Sequence, residues 1–155
     1  MSHIAELNLS EWKIDADSDA ARGFLDNVDK VNAVADRAKG FVWRLLDEQR
    51  DEFGRNAVCD NENVLMTLSV WESAEDLEDF VWNTVHKRIY NRKDEWFGKM
   101  AGHELIMWWV DEGHVPSMEE ARERMDHLNE FGNTEFAFGW DHLDHIKLWQ
   151  KQQCG

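Results

Sequence analysis

Large apolar side chains fall at both parities of three short strand-like segments, and this limits the folds open to the chain more than any other feature. Phe41 to Asp47 sends Phe41, Trp43 and Leu45 one way and Val42, Arg44 and Leu46 the other. Val64 to Trp71 sets Trp71 against Met66 and Leu68, and Glu104 to Val110 places Trp108 next to Trp109. Successive strand residues point to opposite faces, so a sheet made of these segments has two apolar faces and needs cover on both.

A fourth strand is expected at His3 to Leu9, with Ala5, Leu7 and Leu9 on one face and Ile4, Glu6 and Asn8 on the other. Helices follow from apolar spacing and caps. Phe24, Val28, Val31, Ala35 and Ala38 form one stripe, with Asp17 or Ser18 as cap and Lys39-Gly40 as the stop. Ser73 with Asp76 opens a second helix directly after the strand ending at Trp71. It would bury Leu77, Phe80 and Val81 and run to Trp96-Phe97, with a break near Asn83-Thr84, because Phe80 and Phe97 do not share the stripe of one straight helix. Ser117 with Glu120, just after Pro116, opens a third helix that buries Met118, Ala121, Met125 and Leu128 and stops at Gly132.

The order β-α-β-β-α-β with an added helix is the α+β, ferredoxin-like split βαβ arrangement. Helices on one face of such a sheet leave the other bare, and a second subunit is its simplest cover, giving a homodimer. Residues 1–138 are expected to form the single domain and residues 139–155 a C-terminal extension. The charged, turn-rich stretch Glu48 to Asn63 is long enough to act as a flap over a pocket.

Composition excludes several classes of function. The chain has 155 residues and a formal charge of -15, which repels nucleic acid and anionic membrane surfaces. No apolar run approaches the roughly 20 residues of a membrane span, and Met1 to Leu7 lacks signal-peptide character. Its two cysteines, Cys59 and Cys154, make neither a disulfide framework nor a metal spacing, so the cytoplasm is expected. No phosphate loop, nucleophile elbow or paired-cysteine cluster is present in the sequence.

The run Leu68-Ser69-Val70-Trp71-Glu72-Ser73, continuing to Phe80-Val81, His86 and Glu95-Trp96-Phe97, resembles an uncharacterised bacterial family known as domain of unknown function 3291. Gly40-Phe41-Val42-Trp43-Arg44-Leu45 and Trp108-Trp109-Val110 through Gly113-His114-Val115-Pro116-Ser117 are similar to the same family, over about His3 to Phe138. The resemblance implies the dimeric α+β barrel superfamily, which holds antibiotic-biosynthesis-type monooxygenases, haem-dependent enzymes, isomerases and simple binders. Fold does not choose among these.

In such a barrel the ligand cavity lies between sheet and helices. Trp43, Trp71 and Trp109 on the strands, with Phe80 and Trp96 on the helical segment, are the expected ligand walls, although an aromatic on a strand is more often plain core. Asn8, Arg44 and Glu6 are polar residues at strand positions, where a ligand could satisfy them, or where Arg44 and Glu6 could satisfy each other. His86 is the expected general base, with Asn8 and Arg44 stabilising an oxyanion. His114 more simply braces the start of the third helix, and the pair His142 and His145 is better read as surface than as a metal site.

Three functions compete. The first is a cofactor-independent monooxygenase or isomerase, or a binder, for an apolar aromatic or polyketide-like compound. The second is haem binding, with His86 or His114 as axial ligand. The third is a non-catalytic dimeric interaction module, which needs no cavity, whereas the first two need roughly 300 Å³ or more.

Overall fold

The computed structural model describes residues 2–46, 64–84, 86–100 and 102–143. The segment expected as a flap lies outside them, as do Cys59, His145 and Cys154. Strand β1 (Ser2–Trp12) leads to helix α1 (Arg22–Asp36), then β2 (Phe41–Arg44) and β3 (Val64–Trp71). Helices α2 (Ala74–Asn83) and α3 (His86–Asn91) follow, then the two-residue strand β4 (Phe97–Gly98), β5 (Leu105–Asp111) and helix α4 (Met118–Phe131). No helix among the described residues is long and apolar enough to cross a membrane.

The sheet is antiparallel, with β1 in its centre. β3 lies along one side of β1 with β2 beyond it, and β5 and β4 share the other side. This is the expected α+β, ferredoxin-like order. Register stacks the chain into rows that alternate between the faces. Phe41, Trp71, Ile4 and Trp109 form one row, Trp43, Val70, Ala5 and Trp108 the next, and Arg44, Ser69, Glu6 and Met107 the third.

The second row and its alternates face α4. Ala5, Leu7, Leu9, Leu68, Val70 and Trp108 pack with Met118, Ala121, Met125 and Leu128 in one buried cluster. The face for which a second subunit was expected thus carries a helix of the same chain. Two bonds explain why α4 settles there. The Ser117 hydroxyl accepts from the Glu120 N–H at 3.0 Å, capping the helix, and Glu120 in turn accepts from Trp108 Nε1 at 2.8 Å. His114 Nε2 meets the other Glu120 oxygen at 2.7 Å, which is the bracing role expected of it.

The opposite face carries α1, α2 and α3. The Ser73 cap forms as expected, accepting from the Asp76 N–H at 3.1 Å. The helix does break at Thr84, whose extended backbone cannot continue it. It does not reach Trp96-Phe97, however. α3 ends at Asn91, a short turn spans Lys93–Glu95, and Phe97–Gly98 pairs with Glu11 and Trp12 of β1. Between α1 and β2, Gly40 takes a φ of +82°, and a Cβ there would collide with the Asp76 side chain, so the turn needs glycine.

Strand β2 departs from simple alternation. Phe41 opposes Trp71 and Trp43 opposes the adjacent Val70, leaving Val42 as the extra residue of a bulge. Phe41 and Trp43, expected on one face, therefore lie on opposite faces, and Arg44 joins Phe41.

Candidate functional site

The third row and its neighbours floor a cavity of about 530 Å³ between β1, β2 and β3 on one side and α1, α2 and α3 on the other. Helix α1 presents Phe24, Val28, Val31 and Ala35 to it. Ala35 is the one buried residue of that helix, and Phe24, Val28 and Val31 stay half-buried where they line the cavity.

One wall is aromatic. Trp71 is fully buried and stacks on Phe80, with centroids 5.2 Å apart and planes 25° from parallel, while Phe41 stands edge-on to Trp71 at 5.5 Å. Trp12 and Phe24 form a second aromatic contact at 5.6 Å, and both also line the cavity.

The floor is polar. Glu6 projects from the central strand, and its Oε2 accepts from the Ser69 hydroxyl at 3.0 Å. That hydroxyl also accepts from Trp71 Nε1 at 3.0 Å, so the indole, the hydroxyl and the carboxyl form one directed chain. Burial raises the Glu6 pKa from an ordinary 4.5 to about 7, and the Ser69 bond opposes that rise only in part.

His86 sits against Phe80 at 5.2 Å, with Nδ1 3.1 Å from the Val81 carbonyl oxygen. A carbonyl can only accept, so Nδ1 carries the hydrogen in this bond and Nε2 is the basic nitrogen. Burial holds the imidazole pKa below its ordinary value, against the Val81 bond. Arg44 binds both Asp36 oxygens, Nε at 2.7 Å and one terminal nitrogen at 3.2 Å, and this pairing lowers the Asp36 pKa. Arg44 is thus tied to α1 rather than to Glu6.

Five of the expected site residues meet in this cavity: Asn8, Arg44, Trp71, Phe80 and His86. Three do not. Trp43 packs on the α4 side because of the β2 bulge. Trp109 lies against Phe138 at 5.6 Å, under the segment that follows α4. Trp96 stands behind Phe24 at 5.5 Å and donates to the Ala20 carbonyl at 3.1 Å, one layer outside the lining. Ser69 and Phe41 were missed, and Glu6 was weighed only as an unassigned polar residue. The signal for Glu6 was available: an acid between Ile4 and Asn8 on the central strand lies on the helix-covered face.

Haem fits these residues poorly. His114 is bonded to Glu120 on the α4 side, which leaves His86 as the cavity's histidine. The two haem propionates would meet one basic lining residue among those described, Arg44, already paired with Asp36, and the porphyrin would cover a buried carboxyl. Among the described residues no group of three or more His, Cys, Asp or Glu side chains is placed to hold a metal ion, and His142 instead meets Glu135 at 3.0 Å.

Three solved structures are similar to this chain at low identity. A conserved protein from Methanosarcina mazei is 15% identical with a TM-score of 0.49, covering 70% of this chain and 92% of its own. A protein of unknown function from Nitrosomonas europaea is 8% identical with a TM-score of 0.50, covering 76% and 97%. SnoaB, a cofactor-independent oxygenase from Streptomyces nogalater, is 12% identical with a TM-score of 0.46, covering 74% and 97%. No curated protein matches the chain in sequence. The model of one family, described as a domain of unknown function, DUF3291, matches residues 3–154, and the chain belongs to that family.

Proposed function

We propose that this protein binds a flat, apolar small molecule between the sheet and α1 to α3, and acts on it by proton transfer, as a cofactor-independent monooxygenase or an isomerase would. The observation that carries this reading is the 530 Å³ cavity itself, in which an aromatic wall meets a buried carboxyl on the central strand and an imidazole on α3. Small-molecule sites have this character: mostly apolar, roughly 300 to 1,000 Å³, with few polar groups. A pure interaction module needs no such space, and an all-core role for the aromatics would have filled it.

Buried groups with displaced pKa values are the usual equipment of acid-base catalysis. The Trp71 and Phe80 rings favour a planar ligand, and the Asn8 amide offers a donor to an oxygen that gains negative charge.

The test is direct binding of bicyclic aromatic compounds, followed by quenching of tryptophan fluorescence, beside native mass spectrometry of freshly purified protein. Saturable quenching that disappears when Val31→Trp fills the cavity is the expected result. No saturable binding, together with no co-purifying compound, would falsify the reading.

A further inference from the structure

We infer that Glu6 is the proton acceptor of this cavity, positioned by Ser69 and Trp71, and that it acts on a flat apolar compound with an acidic C–H beside a carbonyl. The inference rests on the small-molecule reading above and assigns its reacting group and substrate class.

Geometry comes first. Oε2 of Glu6 is occupied by the Ser69 hydroxyl, which the Trp71 indole holds from behind. Oε1 makes no hydrogen bond among the described residues, nor is it a buried orphan, so it is the oxygen open to the cavity that Glu6 lines. Two residues along β1, on the same face, the Asn8 side chain also lines the cavity and makes no hydrogen bond among the described residues. Same-face neighbours on a strand stand about 7 Å apart. A substrate's C–H at Oε1 and its carbonyl oxygen at the Asn8 amide, each at hydrogen-bonding distance, span that gap.

The step balances without a redox partner. The substrate C–H bond breaks, an O–H bond forms on Oε1, and the electron pair stays on the substrate as an enolate, its charge on the oxygen at Asn8. Return of the proton to the same carbon gives exchange; return to another carbon gives isomerisation.

Among the described residues, the charged or titratable groups around Glu6 are Arg44 from β2 and His86 from α3 at the cavity, and Asp36 of α1 behind Arg44. His86 is the weaker candidate, since burial disfavours its protonated form. The carboxyl, by contrast, titrates near neutrality, so an acceptor and a competent conjugate acid coexist at working pH.

The probe is β-tetralone, a bicyclic ketone with acidic protons between ring and carbonyl, incubated with the full chain in heavy water and followed by proton NMR. Wild type is expected to accelerate deuterium uptake over buffer, with a rate that rises to a plateau above a midpoint near pH 7. Glu6→Gln should lower the protein-dependent rate by roughly 100-fold or more while still binding the ketone. Ser69→Ala, which removes a donor to the carboxylate, should move the midpoint to higher pH. Exchange that persists in Glu6→Gln, or bound ketone with no exchange in wild type, overturns the assignment of Glu6 and leaves the cavity reading standing. An unmoved midpoint in Ser69→Ala overturns the positioning role. Failure of wild type to bind the ketone overturns the substrate class inferred here; the cavity reading falls with it only if the bicyclic aromatic compounds also show no saturable binding and nothing co-purifies.

Discussion

Ser69 lies directly across from Glu6 in the β1–β3 pairing, and its hydroxyl donates to Glu6 Oε2 at 3.0 Å while accepting from Trp71. A serine placed this way does two jobs. It offsets part of the cost of burying an acid, and it satisfies an indole N–H that would otherwise be orphaned at the cavity wall.

The Glu6 pKa makes stability depend on pH. Folding raises it from 4.5 to about 7, so the folded state favours the protonated form. The associated stability is full below about pH 4.5 and is lost as pH rises through 7. The difference corresponds to roughly 3 kcal/mol. Melting curves of wild type and Glu6→Gln between pH 5 and 9 should therefore diverge, the wild type losing roughly 5 to 10 °C more than the variant. Parallel curves would mean that Glu6 is not desolvated.

Ser69→Ala should destabilise the fold by about 1 to 3 kcal/mol at neutral pH, because it strips Trp71 Nε1 of its acceptor and the carboxyl of its donor. Urea denaturation measures this. Ser69→Thr, which keeps the hydroxyl, should recover most of the loss.

The two sheet faces can be told apart with two tryptophans. Trp71→Ala removes the ring stacked on Phe80 and should weaken binding of a bicyclic aromatic at least tenfold, whereas Trp43→Ala should leave affinity within about twofold although it lowers stability, since Trp43 packs toward α4. Equal losses of affinity would contradict the bulge in β2.

Leu128 is fully buried on α4 in the cluster beneath the sheet. Leu128→Ala should cost about 2 to 5 kcal/mol. It should leave the Glu6 titration unchanged, because that carboxyl lies on the other face. Denaturant melts at two pH values test both parts.

Much of the local structure was legible in the chain. The Ser73 and Ser117 caps, the Gly132 stop and the break at Thr84 all follow from side-chain chemistry within a few residues, and each forms where expected, whereas the first helix ends at Asp36, short of the stop expected at Lys39-Gly40. The same holds for the alternation of β1, which correctly separated Ala5, Leu7 and Leu9 from Ile4, Glu6 and Asn8. The Phe97–Gly98 strand was not legible, because its partners Glu11 and Trp12 lie far away in sequence and two residues carry no period.

The candidate site was half legible for a related reason. Period-two reasoning cannot see a bulge, so Trp43 was placed with Phe41, and Arg44 apart from it. Nor does an apolar pattern say which helix will cover a face. The α4 stripe of Met118, Ala121, Met125 and Leu128 could be read from spacing, but its docking under Ala5, Leu7 and Trp108 depends on the long-range Trp108 to Glu120 bond and on the turn at His114.

The sequence by itself determined that both faces of the sheet are buried, where the helices capped by Ser73 and Ser117 begin, and which residues of β1 share a side, since these depend on neighbours within one or two turns. Tertiary structure alone decided which helix covers which face, which aromatics bound empty space rather than core, and that Glu6, Ser69 and Trp71 form one hydrogen-bonded chain. Those outcomes rest on strand register and on desolvation by segments distant in sequence, and neither is encoded in any local pattern.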